Sequence, residues 1–103
     1  MLGLSSSGDR RFGDFEWDSD NAAANAAKHG ITFEEATAVF LDLDYLLIRD
    51  ALEPERFVAI GMSSQARVLF VVHCERGQRV RMISAQRATR GERETYERRR
   101  ESD

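Results

Sequence analysis

The 103-residue sequence is poor in the residues that build small cross-linked or cofactor-binding folds, with one cysteine and one proline. A single cysteine, Cys74, excludes an internal disulfide, and its apolar neighbours favour a buried free thiol. No paired-cysteine or His-x-x-x-His spacing occurs, so we predict no metal site. Gly61 and Gly77 stand alone, and without a glycine-rich phosphate loop we predict no nucleotide cofactor.

Long apolar runs are also missing. No segment approaches the ~20 residues that span a bilayer, and Met1 to Leu4 is too short for the apolar core of a signal peptide. We therefore expect a cytoplasmic protein without membrane contact. The length fits one compact domain, and 42% hydrophobic with 32% charged residues is typical of a folded globular chain.

Lysine is almost absent, because 14 of the 15 cationic residues are arginine and only Lys28 is lysine. The net charge of -3 hides an asymmetry: residues 1–55 carry 12 acidic and 4 basic residues, and residues 56–103 carry 6 acidic and 11 basic. The second half is therefore a candidate for polyanion binding, and arginine suits bidentate phosphate recognition. A GC-rich genome that encodes arginine for most cations explains the composition equally well.

Hydrophobic periodicity predicts a single α+β domain over residues 15–103 after a loose extension, residues 1–14. Capping patterns start helices near Ser19, Thr32 and Thr89, and alternating segments predict strands joined by gaps too short for parallel crossovers. The predicted order is β-α-α-β-β-β-β-α, with an antiparallel sheet, two N-terminal helices and one C-terminal helix. The predicted strands are residues 15–18, 45–49, 56–62, 68–74 and 79–86.

Six short segments resemble the BrnT toxins in the same order along the chain. They are Phe15-Glu16-Trp17-Asp18, Asn25 with Lys28-His29-Gly30, Thr32 to Ala36 with Val39-Phe40, Glu55-Arg56, Val80 to Ala85, and Ala88-Thr89 with Glu92-Arg93 and Tyr96. The resemblance implies a RelE-like fold and a type II toxin that cuts RNA and blocks translation. It also implies a BrnA-like ribbon-helix-helix antitoxin, through which alone the toxin contacts operator DNA.

The sequence departs from the family pattern at two positions. Ser19 replaces a common proline, and serine also begins helices, so we expect no loss there. Gln86 stands where the family motif Ile-Ser-Ala-Arg has arginine, and it keeps a donor but removes the charge. Arg87 points to the opposite strand face if the strand continues. An alternative function follows, a catalytically impaired module that pairs with the antitoxin and acts in operon repression.

Metal-independent RNA cleavage needs positive charge on the phosphate, together with a base and an acid. Arg79 and Arg81 share one face of a strand, and Arg67, at the mouth of the predicted turn over residues 63–67, is expected near the same surface. We predict these three as catalytic, with Lys28, Gln86 and Arg87 as RNA-binding residues whose substrate is free or ribosome-bound. Periodicity alone favours a different interpretation, in which Arg79 and Arg81 are solvent-facing and paired with Glu75 or helix carboxylates, and the family resemblance reverses that preference.

The two histidines are candidates for proton transfer. His29 follows Lys28 at a helix end, where capping and the helix dipole explain both residues as well. His73 ends a buried strand, which is also typical of a structural histidine.

For antitoxin binding we predict Glu34 and Glu35, because the acidic first half suits a basic DNA-binding partner. A general RNA-binding protein with no toxin role is a third interpretation.

Overall fold

The computed structural model describes residues 8–102, which form a six-stranded sheet with three α-helices and one 3-10 turn. The strands are β1 (Asp9–Phe12), β2 (Phe15–Asp18), β3 (Leu46–Arg49), β4 (Phe57–Met62), β5 (Val68–Arg76) and β6 (Arg79–Arg87). The helices are α1 (Ser19–His29), α2 (Phe33–Thr37) and α3 (Arg90–Ser102), and the 3-10 turn is Ala38–Leu41. No helix in this part of the chain is long and apolar enough to cross a membrane.

The sheet has the strand order β1-β2-β6-β5-β4-β3 and is mostly antiparallel, with one parallel pair between β2 and β6. The α+β class is confirmed, but the predicted order is wrong at its start. Asp9–Phe12, predicted to be loose, pairs with β2 as an additional strand, because Gly13 with φ of 61° allows a tight turn between them. Residues 1–7 of the predicted extension lie outside the described residues.

Both first helices begin at the predicted caps. The Asp18 carboxylate accepts a hydrogen bond from the Asn21 N–H at 2.9 Å, and the Thr32 hydroxyl accepts one from Glu35 N–H at 3.1 Å. The helix α2 is short, because it ends at Thr37 and tightens into the 3-10 turn. Such tightening is common at the end of a helix.

The helices α1 and α2 cover one face of the sheet, and α3 covers part of the other. The first core contains Trp17, Ile31, Phe33, Ala36, Val39, Ala59, Leu69, Val71, Met82 and Ala85. On the opposite face, Tyr96 of α3 is 1% exposed and packs with Val58, Ile60, Val68 and Ala88. Its hydroxyl donates to Asp42 at 2.6 Å, which anchors the helix. Burial and this carboxylate raise the pKa of Tyr96 to about 12.

Strand β6 is covered on its outer edge by β2 only at Val80 and Arg81. Beyond that point Asn25 of α1 takes the place of a strand, since its amide donates to the Ala85 carbonyl at 2.8 Å and accepts from the Ala85 N–H at 3.0 Å. The same amide donates to Ile31. This contact holds the end of α1 against the end of β6.

Candidate functional site

Arg67 lies in the turn between β4 and β5, where Glu35 of α2 holds its guanidinium. Its Nε donates to Glu35 Oε2 at 2.8 Å and its Nη2 to Glu35 Oε1 at 2.7 Å, and Nη2 also donates to the Gly30 carbonyl. These contacts use three of the five guanidinium N–H groups, so the two on Nη1 are left for a ligand. The side chain is 29% exposed, which makes Arg67 an oriented and accessible cation.

Glu35 is the buried carboxylate that holds the Arg67 guanidinium in place. It is 7% exposed and also accepts a hydrogen bond from the Ser63 hydroxyl at 2.6 Å. The hydrogen bond from Arg67 lowers the pKa of the Glu35 carboxyl, although burial opposes this, and the same bond raises the pKa of Arg67. Both groups are therefore charged at neutral pH, and the pair fixes the direction of the guanidinium.

Two further arginines share a cleft with Arg67. Arg87 ends β6 and Arg93 lies in α3, and the cleft between them is also lined by Met62, Ala66, Val68, Ala88 and Glu97. Arg87 is close enough to lower the pKa of Glu35 by its charge. Within residues 8–102, neither Arg87 nor Arg93 forms an ion pair. We call Arg67, Arg87 and Arg93 the arginine cleft.

Lys28 and His29 lie beside the outer edge of β6, in a groove that also contains Asn21, Ala24, Asn25, Ile83 and Ser84. Lys28 is exposed and His29 half-buried. Because Gly30 follows His29 directly and its carbonyl binds Arg67, the groove and the arginine cleft both adjoin the end of α1. The structure thus brings together the ends of α1 and β6 and the β4–β5 turn.

Arg79 and Arg81 do not join this cluster. They begin β6, six or more residues from Arg87, which corresponds to about 20 Å along an extended strand. Arg81 donates to Glu16 at 2.9 Å and to Asp9 at 3.1 Å, and the hydrogen bond to Glu16 raises the pKa of Arg81. Arg79 donates to the Gly13 carbonyl. The expectation that Arg67 lies near these two residues is therefore not met, and their contacts favour the structural alternative.

His73 is 4% exposed, with its ring edge-on to Phe40 at 4.8 Å and stacked on Phe57 at 6.1 Å. Burial lowers the pKa of His73, so the ring is neutral at physiological pH. These surroundings favour a structural role. Gln86 is half-buried opposite Phe70 of β5, on the sheet face away from Arg87.

The two predicted antitoxin contacts differ in exposure. Glu34 is exposed at the start of α2, whereas Glu35 is buried under Arg67. Glu35 is thus occupied inside the molecule, and this arrangement leaves Glu34 alone accessible to a partner. Across residues 8–102, no three histidine, cysteine, aspartate or glutamate side chains are grouped to hold a metal ion.

Sequence reasoning missed Arg93, although the necessary pattern is present. Thr89 caps α3 directly after β6, with its hydroxyl accepting from the Glu92 N–H at 3.2 Å, and Glu92 returning to the Thr89 N–H at 2.8 Å. This capping box places the first turn of α3 beside the end of β6, and hence Arg93 near Arg87. Asn25 was included only as part of a motif, and nothing local indicates its contact with a residue 60 positions away.

Comparison with known proteins identifies a protein family whose model matches this chain. The model of the family described as "Ribonuclease toxin, BrnT, of type II toxin-antitoxin system" matches residues 17–92. Among solved structures, the ribonuclease toxin BrnT of Brucella abortus is similar with a TM-score of 0.61 and 25% sequence identity. The match covers 72% of this chain and 94% of that one. No curated protein matches the chain.

Proposed function

Since the chain belongs to the BrnT family of ribonuclease toxins of type II toxin–antitoxin systems, we propose that it is a RelE-like, metal-independent endoribonuclease that inhibits translation. We place the reaction at the arginine cleft and the adjoining groove of Lys28 and His29. The observation that carries this placement is the fixed guanidinium of Arg67 beside the guanidinium of Arg87, which forms no ion pair within residues 8–102.

The charge of the cleft suits a phosphodiester. Three guanidinium groups and one buried carboxylate give a net positive cluster, even with the exposed Glu97 at its margin. Arg67 presents its two Nη1 N–H groups without having to lose conformational freedom, because Glu35 already holds it. Donors fixed in advance where charge develops stabilise a transition state more than flexible ones.

In the reaction that we propose, the 2′-hydroxyl of a nucleotide attacks the adjacent phosphorus. The 2′-O–P bond forms, the P–O5′ bond breaks, the leaving 5′ oxygen takes a proton from water, and the products are a 2′,3′-cyclic phosphate and a 5′-hydroxyl. Arg67 and Arg87 bind the non-bridging oxygens, and Lys28 binds a neighbouring phosphate. His29 accepts the 2′ proton, since it is the accessible histidine next to the cleft and histidine suits proton transfer near neutral pH.

The partner we propose is a ribbon-helix-helix antitoxin that neutralises the toxin and connects it to operator DNA. The type II family supports an antitoxin as such. The excess of acidic residues in positions 1–55 supports a partner with the basic surface of a DNA-binding protein. Of the two glutamates predicted for this contact, the exposed Glu34 is the better placed.

RNA cleavage by the purified chain tests the proposal. A 5′-labelled RNA is incubated in EDTA with wild type, Arg87→Ala and Arg79→Ala, and the ends are analysed for the cyclic phosphate. We expect cleavage by wild type and Arg79→Ala, and a loss of about tenfold or more in Arg87→Ala. In a cell-free translation reaction, we expect wild type and Arg79→Ala to inhibit protein synthesis more strongly than Arg87→Ala.

Two outcomes would overturn the proposal. One is an inactive wild type, and the other is an equal loss in Arg79→Ala and Arg87→Ala, which would separate the activity from the arginine cleft. Circular dichroism of the variants controls for folding.

A further inference from the structure

The outer edge of β3, together with the segments at its two ends, carries an unusual concentration of exposed apolar side chains. Six large hydrophobic residues of the described chain are exposed, and five of them lie between positions 41 and 52. They are Leu41 (81%), Leu43 (95%), Leu47 (55%), Ile48 (46%) and Leu52 (88%). An exposed apolar edge strand is an aggregation hazard unless something covers it.

Within the described residues 8–102, the backbone of this edge is also open. β3 is the last strand of the sheet and pairs on one side with β4. The Asp50 N–H donates to the Arg56 carbonyl, so alternation along the antiparallel ladder directs the N–H and C=O groups of Ile48 and Leu46 toward β4. Those of Leu47 and Arg49 consequently face outward, where an added strand would bind.

The edge is held in a fixed shape at its far end. The Asp50 carboxylate accepts hydrogen bonds from the N–H groups of Leu52 and Glu53 at 2.8 and 3.2 Å, and these bonds lower its pKa. Arg49 is tied to the Pro54 carbonyl and lies over the Phe57 ring. The strand and its turn are therefore ordered before any partner binds, which limits the entropy lost on binding.

The charge around the edge selects the partner. Residues 41–56 contain five acidic residues, Asp42, Asp44, Asp50, Glu53 and Glu55, and two basic ones, Arg49 and Arg56. A second copy of this chain would bring acidic residues against acidic residues. A segment with apolar and basic side chains would meet opposite charge instead.

We propose that the β3 edge binds an extended apolar and basic segment of the antitoxin, which adds a seventh strand to the sheet. The inference rests on the antitoxin of the proposed function. Strand addition supplies affinity through main-chain hydrogen bonds and specificity through alternate side chains. The contact lies apart from the arginine cleft, because β3 and β6 are separated by β4 and β5.

Calorimetry tests the inference with a ribbon-helix-helix protein that is sought in the gene next to this one and purified separately. Leu47→Pro removes one outward N–H and leaves the ladder with β4, since proline is tolerated on the open side of an edge strand. Leu47→Lys keeps that N–H and replaces an apolar side chain with a positively charged one. Phe12→Lys is the matched control, as Phe12 is 48% exposed on β1 at the other edge of the sheet.

We expect both Leu47 variants to raise the dissociation constant about tenfold or more, and Phe12→Lys to leave it unchanged. Hydrogen exchange on the wild-type complex should protect the Leu47 and Arg49 amides. RNA cleavage by free Leu47→Pro should equal that of the wild type, which also shows that the variant folds.

Unchanged affinity in both Leu47 variants would overturn the inference while leaving the antitoxin partner in place. A larger loss of affinity in Phe12→Lys than in the Leu47 variants would indicate that the antitoxin binds at β1. A wild-type dimer that Leu47→Pro converts to a monomer would assign the edge to a second copy. If the wild type binds no antitoxin, the partner proposed above fails as well, whereas RNA cleavage is measured independently.

Discussion

Arg67 and Arg81 are both held by carboxylates, yet their surroundings differ. Arg81 donates to two carboxylates from two strands, Glu16 and Asp9, and is 19% exposed. Arg67 donates to one carboxylate, is 29% exposed and has further arginines beside it. A pair whose charges cancel joins strands together, whereas we propose that the Glu35–Arg67 pair, inside a positive cluster, orients a cation for a ligand. The neighbours of an ion pair thus distinguish the two roles better than the pair itself.

We expect the largest difference between substitutions of Arg67 and of Arg81 in the rate of RNA cleavage. Arg67→Ala removes the oriented guanidinium, so RNA cleavage should fall about 100-fold or more under single-turnover conditions. Lysine in its place should recover little, because an ammonium group cannot make the bidentate contact to Glu35. Activity retained by Arg67→Ala would mean that Arg67 only anchors its turn.

The second prediction concerns Arg81. Arg81→Met leaves Glu16 without its main partner between β2 and β6, so urea unfolding should show a loss of about 1–2 kcal/mol, limited by partial exposure of the pair. Cleavage by the folded variant should equal that of the wild type. Glu16→Gln is the matched change on the other side of the pair. A loss of activity without a loss of stability would return Arg81 to the active site.

The third prediction uses pH to test the Glu35 pair. The pKa of Glu35 is lowered in the folded chain, so its contribution to stability is present above about pH 4.5 and is lost as the pH falls below that value. Glu35→Gln should therefore lower the urea midpoint at pH 7, and the difference from wild type should narrow toward pH 3. Glu34→Gln, an exposed neighbour, should show no such convergence. A difference independent of pH would contradict the ionised pair.

How well the sequence predicts a structural feature depends on how far apart along the chain the interacting residues lie. The caps at Asp18 and Thr32 and the alternation in the strands act within a few residues, and these elements were predicted correctly. The parallel contact of β2 with β6 and the contact of Asn25 with Ala85 join distant segments, and no local pattern contains them.

The candidate site shows the same limit. Alternation correctly places Arg79 and Arg81 at the start of one strand, but it does not reveal that Asp9 and Glu16 neutralise Arg81. Arg67 and Glu35 are 32 residues apart, and only the fold makes them a pair. Sequence reasoning thus singles out Arg67 and Arg87 one by one, whereas it misses Arg93 and does not group these residues into a cleft at the end of the sheet.

The smallest effect is expected at Gln86, where the family pattern has arginine. Gln86 and Arg87 lie on opposite faces of β6. The arginine cleft on the side of Arg87 already holds the three guanidinium groups of Arg67, Arg87 and Arg93. Gln86→Arg adds a charge outside that group, so cleavage should rise by about twofold or less. Gln86→Lys controls for charge without the planar donor. A gain of several orders of magnitude from Gln86→Arg alone would instead place the phosphate on the other face of the strand, and would make the wild-type chain the impaired module that pairs with the antitoxin.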